Sequence, residues 1–224
     1  MNETNHPMPL QRHFTPKTLN ELGLIGSSLN ISLSYQETII AKSGIQKLLS
    51  KLPLMDKSPT TSMDLDLSCL LFDINHQFME AIWYGRLRND NQSIRHSGDA
   101  LLGAKNFEQS LISQEEIRLR PDEFDPTTHH LIFVLSSHHR QSIHLANKGI
   151  VQLSDNENNI ADSVALSGLP ESQAFILWHL HKHEQDWQVI APMQPMTTDF
   201  VRTDGIEQLA WHIKQYLHNA SNRW

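Results

Sequence analysis

Residues Met63-Asp64-Leu65-Asp66-Leu67-Ser68-Cys69-Leu70-Leu71-Phe72 form a short apolar run with two aspartates near its start. Such a run, bounded by a Pro/Ser/Thr/Lys loop upstream and Asp73 downstream, predicts a strand over Asp64–Phe72. Strand side chains alternate, so Asp64 and Asp66 share one face, roughly 7 Å apart in Cα at ~3.3 Å per residue. Similar short runs recur at Ala81–Tyr84, Glu116–Arg120, Leu131–Ser136, Gly149–Leu153, Ile160–Leu166, Ala174–His181 and Trp187–Pro192. Turn sequences such as Arg88-Asn89-Asp90-Asn91, Asp155-Asn156-Glu157-Asn158 and Gly168-Leu169-Pro170 separate them. Many short strands with turns at such intervals predict a mainly β fold, a sandwich or a barrel. Leu131-Ile132-Phe133-Val134-Leu135 is apolar on both faces and is expected to be a central strand.

Outside this region the pattern changes. Residues 1–28 read as an N-terminal extension: a polar tail, then a short helix opened by Thr15-Pro16 and closed at Gly23 or Gly26. Leu29, Ile31, Leu33 and Tyr35 alternate as a half-buried strand. Ala41, Ile45, Leu48 and Leu52 then fall at helical spacing, which predicts an inserted amphipathic helix over residues 36–52. A second helix is predicted over 204–218, capped by Asp204 with Glu207 three residues on, and with Ile206, Leu209, Ala210, Ile213 and Leu217 as its apolar stripe. One domain over residues 29–224 accommodates all of this.

Composition narrows the function. The 224 residues carry 25 acidic and 18 basic side chains, a net charge of −7. That balance argues against a general nucleic-acid binder, whose phosphate contacts need clustered Lys and Arg. A single cysteine, Cys69, excludes an intramolecular disulfide and a cysteine-only zinc site. No apolar run approaches the ~20 residues of a membrane-spanning helix. Met1–Gln11 lacks a basic start and an apolar core, so a cytosolic protein is the expectation. The phosphate-loop, dinucleotide, nucleophile-elbow and H-E-x-x-H motifs are absent, and Trp83, Trp178, Trp187, Trp211 and Trp224 are scattered as core anchors would be.

Two constellations carry metal-binding chemistry. Asp64 and Asp66, Asp99 in the turn His96-Ser97-Gly98-Asp99, and the pair Glu115-Glu116 bring five acids from three loop ends. Hard cations such as calcium want six to eight oxygens, carboxylates among them. The same acids also suit solvated strand ends and turn caps. The run Trp178-His179-Leu180-His181-Lys182-His183 places His179, His181 and His183 on one strand face, a candidate zinc, nickel or copper site or simply the polar outer face of a strand. His129-His130 and His138-His139 are adjacent in sequence and form no chelate by themselves, and Cys69 is expected to be a buried small hydrophobe.

The order of these segments resembles the TerD family of tellurium-resistance and bacterial stress proteins. The family's F-D-L-D-A-S strand is similar to Met63-Asp64-Leu65-Asp66-Leu67-Ser68. Its V-x-H-x-G-D-N-L-x-G loop is similar to Ile94-Arg95-His96-Ser97-Gly98-Asp99-Ala100-Leu101-Leu102-Gly103. Gln114-Glu115-Glu116-Ile117, Leu131–Ser136 and Trp187-Gln188-Val189 match further pieces in order. The resemblance implies a β-sandwich of two mostly antiparallel sheets with calcium bound at one end by Asp64, Asp66, Asp99, Glu115 and Glu116. It also implies a non-enzymatic, cytoplasmic or membrane-associated stress component, acting with other stress-response proteins. The chain departs from the family at Gln36 and Ala100, which replace an aspartate and an asparagine, and at Ser110-Leu111-Ile112-Ser113, which replaces much of an acidic run. Each lost carboxylate removes charge from a hard-cation site.

Overall fold

The computed structural model describes residues 15–41, 60–105, 109, 113–196 and 205–220. In chain order the strands are β1 (Lys17–Thr18), β2 (Leu29–Gln36), β3 (Ile39–Ala41), β4 (Thr60–Ser62), β5 (Leu65–Phe72), β6 (Phe78–Ile82) and β7 (Ile94–His96). They continue with β8 (Glu115–Leu119), β9 (His130–Ser137), β10 (Asn147–Asp155), β11 (Ile160–Ala165), β12 (Ala174–His183), β13 (Asp186–Ile190) and β14 (Gln194–Pro195). A helix, α1 (Gly205–Ala220), follows.

Two sheets face each other. The larger runs β1-β13-β12-β9-β5-β6, with β14 also beside β12, and the smaller runs β11-β10-β2-β8-β7. The ladders within both are antiparallel. The alternating pattern of β2 works as its sequence predicts: Leu29, Ile31, Leu33 and Tyr35 are buried. They pack with Leu65 and Leu67 of β5, Phe133 and Leu135 of β9 and Ile117 of β8 in the core between the sheets. Burial of each such side chain stabilises the fold by about 1.5–3 kcal/mol.

The central strands of the larger sheet are buried on both faces because α1 covers the outer one. Leu70 and Phe72 of β5, Ile132 and Val134 of β9 and Ile176 of β12 pack against Leu209, Ile213, Tyr216 and Leu217 of α1. This is why Leu131–Leu135 reads as apolar throughout. The expected stripe of the C-terminal helix is the one that docks; Asp204, its expected cap, lies outside the described residues.

Three expectations are corrected. No helix forms over residues 15–26. Lys17 and Thr18 instead pair with Val189 and Gln188 as the edge of the larger sheet. Thr18 and Glu21 do form a reciprocal cap, with the Thr18 N–H donating to Glu21 Oε2 (2.7 Å) and the Glu21 N–H to Thr18 Oγ1 (3.2 Å). Gly23, at φ +72°, ends the turn before a helix can propagate. Residues of the segment 17–28 contact the sandwich, with β1 at its edge and Leu24 in its core. Second, the inserted helix does not cover residues 36–41. Gln36 closes β2, and the β-branched pair Ile39-Ile40 lies in β3, which pairs with β4. The rest of that predicted helix, 42–52, lies outside the described residues. Third, Trp211 is 59% exposed on α1 and anchors no core, whereas Trp178 is fully buried and donates its indole N–H to Asp162 Oδ2 at 2.9 Å. Trp224 lies outside the described residues.

Candidate metal centre

At its N-terminal end β5 extends beyond β6, which pairs only with Cys69–Phe72. The edge of β5 from Leu65 to Leu67 is instead met by side chains from the other sheet. The Leu65 N–H donates to the Tyr35 hydroxyl at 3.3 Å, and the Leu67 N–H donates to Glu115 Oε2 at 2.8 Å. His96 completes the set. The Gly98 N–H donates to His96 Nδ1 at 3.0 Å, so the ring proton sits on Nε2, which donates to the Leu67 carbonyl at 3.2 Å and faces Glu115 Oε2 at 3.4 Å. Buried polar groups need such partners, and both His96 and Glu115 have side chains fully shielded from solvent.

This scaffold fixes the loop that carries Asp99. Gly98 has φ +110°, a conformation L side chains rarely adopt, and it turns the chain directly after His96. The Ala100 N–H reaches Glu115 Oε1 at 3.4 Å. Farther on, the Ala104 N–H donates to the Tyr35 carbonyl and the Glu37 N–H to the Ala104 carbonyl, each at 2.8 Å. Gly103 lies so close to β2 that a Cβ there would sit 2.7 Å from the Gln36 carbonyl carbon.

The result is convergence. Asp64 and Asp66, both buried, and Asp99, exposed, each bring a carboxylate oxygen within 4.8 Å of the others. Burial, with the charge of Asp99 next, pushes Asp64 up to about 6. Burial, then Glu115, Asp64 and Asp99, pushes Asp66 up to about 8. Asp64 Oδ1 is buried and has no hydrogen-bond partner among the described residues. Three crowded carboxylates with an unsatisfied oxygen, and no sulfur or imidazole among them, fit a hard divalent cation. His138, just past β9, brings a basic side chain near, with Nδ1 3.9 Å from Asp66 Oδ2.

The expected ligand set thus divides. Asp64, Asp66 and Asp99 come together as the sequence suggests. Glu115 lies beside them, yet both its oxygens accept backbone N–H groups, so it braces β5 and the loop. Glu116 points the other way, as strand alternation requires, and its Oε1 pairs with Arg118 at 3.2 Å. His96, Tyr35 and His138 were missed as site neighbours; only the H-x-G-D spacing hinted at His96.

The alternative face behaves differently from its expectation. His179 is not on an open outer face: it is buried beneath α1, while His183 is exposed. Among the described residues, His179, His181 and His183 do not bring three ring nitrogens within metal-sharing distance; the Asp64–Asp66–Asp99 group alone meets that condition. Cys69 is a buried core residue, as expected, and burial pushes its thiol up.

A two-sheet antiparallel sandwich, with a helix on one outer face and a carboxylate cluster at the N-terminal end of β5, defines a class of β-sandwich domains with an acidic rim. The TerD domain profile matches residues 30–202. The chain therefore belongs to the TerD domain family, which is associated with tellurium resistance. Its fold is similar to the crystal structure of a homologue of the telluride resistance protein TerD from Streptomyces coelicolor A3(2), with a TM-score of 0.59 at 12% identity over 80% of this chain and 97% of that one. It is equally similar to the crystal structure of SAV2460, a protein of unknown function, with a TM-score of 0.59 at 12% identity over 80% of this chain and 96% of that one. No curated protein sequence matches the chain. Among the described residues, no helix is long and apolar enough to cross a membrane.

Proposed function

We propose that this protein is a non-catalytic binding module of the stress response that holds a calcium ion on Asp64, Asp66 and Asp99. The observation that carries the reading is the crowding of these three carboxylates in a partly desolvated site. Like charges held this close raise one another's proton affinity, and an oxygen-seeking dication relieves that cost. Bound there, the ion supplies positive charge that ties the start of β5 to the loop carrying Asp99. Glu115 and His96 hold the two segments in place from below. The family aspartate lost at Gln36 and the family asparagine lost at Ala100 imply a site with less charge, fewer side-chain oxygens and weaker affinity. By family analogy the setting is the cytoplasm and the partners are other stress-response proteins.

A thermal-shift comparison tests the reading. The protein is stripped with a chelator, then measured with calcium and with magnesium. Calcium is expected to raise the melting temperature by several degrees at saturating concentration. A melting temperature indifferent to calcium overturns the assignment.

A further inference from the structure

We propose that the C-terminal helix α1 is an acid-released latch, held on the larger sheet by a file of neutral imidazoles that cannot be fully protonated while the helix is docked. The file lies at the end of β5 away from Asp64, since His130 pairs with Phe72 on one side and with His181 on the other. Phe72 lies six strand steps from Asp66, ~20 Å at strand rise, so the two clusters are distinct.

The contacts run from the interior outward. The Tyr216 hydroxyl of α1 lies 3.4 Å from Nδ1 of the buried His179. The other nitrogen of that ring, Nε2, lies 3.0 Å from Nδ1 of His130. His130 stacks edge-on with His76, at 5.0 Å between centroids, and His76 faces His218 of α1 at 6.2 Å. His181 lies beside His179, at 5.5 Å. The helix therefore closes over the file at two points, Tyr216 and His218. Lys214 adds a third tie, its Nζ donating to Gln77 Oε1 at 3.0 Å.

The 3.0 Å bond between two imidazole nitrogens requires one of them to be a bare acceptor. A proton on both of the facing nitrogens, as when both rings are cationic, would set two N–H groups against each other. Charge balance does not help. His129, His183 and Lys214 flank the file with basic groups; among the described residues the carboxylate facing it is Asp73, whose Oδ1 already accepts the Asn75 and Gln77 N–H groups. Burial, then neighbouring imidazoles, holds His130 down at about 3 and keeps His179 well below the usual range. Burial, then His183, holds His181 at about 4. Rings that take up protons only when α1 lifts make lifting easier as pH falls, by up to tenfold per pH unit for each proton gained.

Hydrogen exchange of the full chain in chelator, at pH 7.5 and pH 5.0 and corrected for intrinsic rates, reads the latch directly. Amides of residues 209–217 are expected to lose at least tenfold protection at pH 5.0, while those of β2 and β10 keep theirs. The His179→Phe variant should flatten this difference. Should it fail to fold, the His76→Gln/His218→Gln double variant, altered at the outer end of the file, should reduce it. Equal protection of α1 at both pH values, or an undiminished loss in the folded variants, overturns the proposal. Calcium binding at the other end of β5 is untouched by either result.

Discussion

Glu115 and Leu67 belong to opposite sheets, yet the Glu115 carboxylate accepts the Leu67 backbone N–H at 2.8 Å. The bond satisfies an edge of β5 that no strand covers among the described residues. Because the second oxygen reaches the Ala100 N–H, one side chain joins both sheets and the loop that carries Asp99. The acidic cluster is thus built on a brace that is itself acidic, and Glu115 adds its charge to the burial and mutual crowding that raise Asp64 and Asp66.

Removing the brace should be costly. Glu115→Ala leaves the Leu67 N–H without its acceptor, and a buried orphan donor costs about 1–3 kcal/mol. At about 2–4 °C per kcal/mol for a chain of this size, the melting temperature should fall by several degrees. Calorimetry in chelator measures it; an unchanged midpoint refutes the bracing role.

Neutralising the cluster should do the reverse. Asp66 is pushed up to about 8 because burial and its acidic neighbours disfavour its charge. Asp66→Asn is expected to stabilise the cation-free protein by about 1–2 kcal/mol, since a tenfold change in proton affinity corresponds to about 1.4 kcal/mol before relaxation. The same variant should lose the calcium-induced rise in melting temperature. A variant that is both less stable in chelator and still responsive to calcium contradicts the assignment.

The two ends of β5 respond to acid with opposite signs. Asp64 and Asp66 have raised folded values, about 6 and 8. Their stabilising contribution is complete below the unfolded value of about 3.9 and is lost as pH rises through 6 and 8. His130 and His181 have lowered folded values, about 3 and 4. Their contribution is complete above the unfolded value of about 6.5 and is lost as pH falls toward 4 and 3. The Asp64→Asn/Asp66→Asn double variant should therefore lose stability more steeply than wild type between pH 6.5 and pH 4. Denaturant midpoints across that window measure the slopes, and parallel slopes count against the picture.

Much of the fold was legible because its strands obey simple periods. The alternation of Leu29, Ile31, Leu33 and Tyr35 marked a half-buried strand, and the unbroken apolar run Leu131–Leu135 marked a central one. The Asp64–Asp66 pair was legible for the same reason. What was not legible depends on tertiary context. Alternation separates Glu115 from Glu116, but only the packing of the two sheets reveals that Glu115 points at β5. The burial of His179 depends on α1, whose Tyr216 lies 37 residues further along the chain. Thr18 and Glu21 form the cap their types suggest, yet Gly23 follows too soon for a helix.

Gly98 supplies a local test of the loop. Its φ of +110° admits alanine only with strain. Gly98→Ala should cost about 1 kcal/mol or more and weaken calcium binding severalfold by displacing Asp99. Matched melting and binding curves for the variant and wild type would argue that the turn plays no part in placing Asp99.

Isothermal titration of calcium into the chelator-stripped full chain at pH 7.5 reads cation binding itself. Saturable binding of one ion per chain is expected, reduced at least tenfold in Asp64→Asn and in Asp66→Asn. Absence of binding heat at millimolar calcium, with no change in melting temperature, or wild-type affinity in both variants, would contradict it.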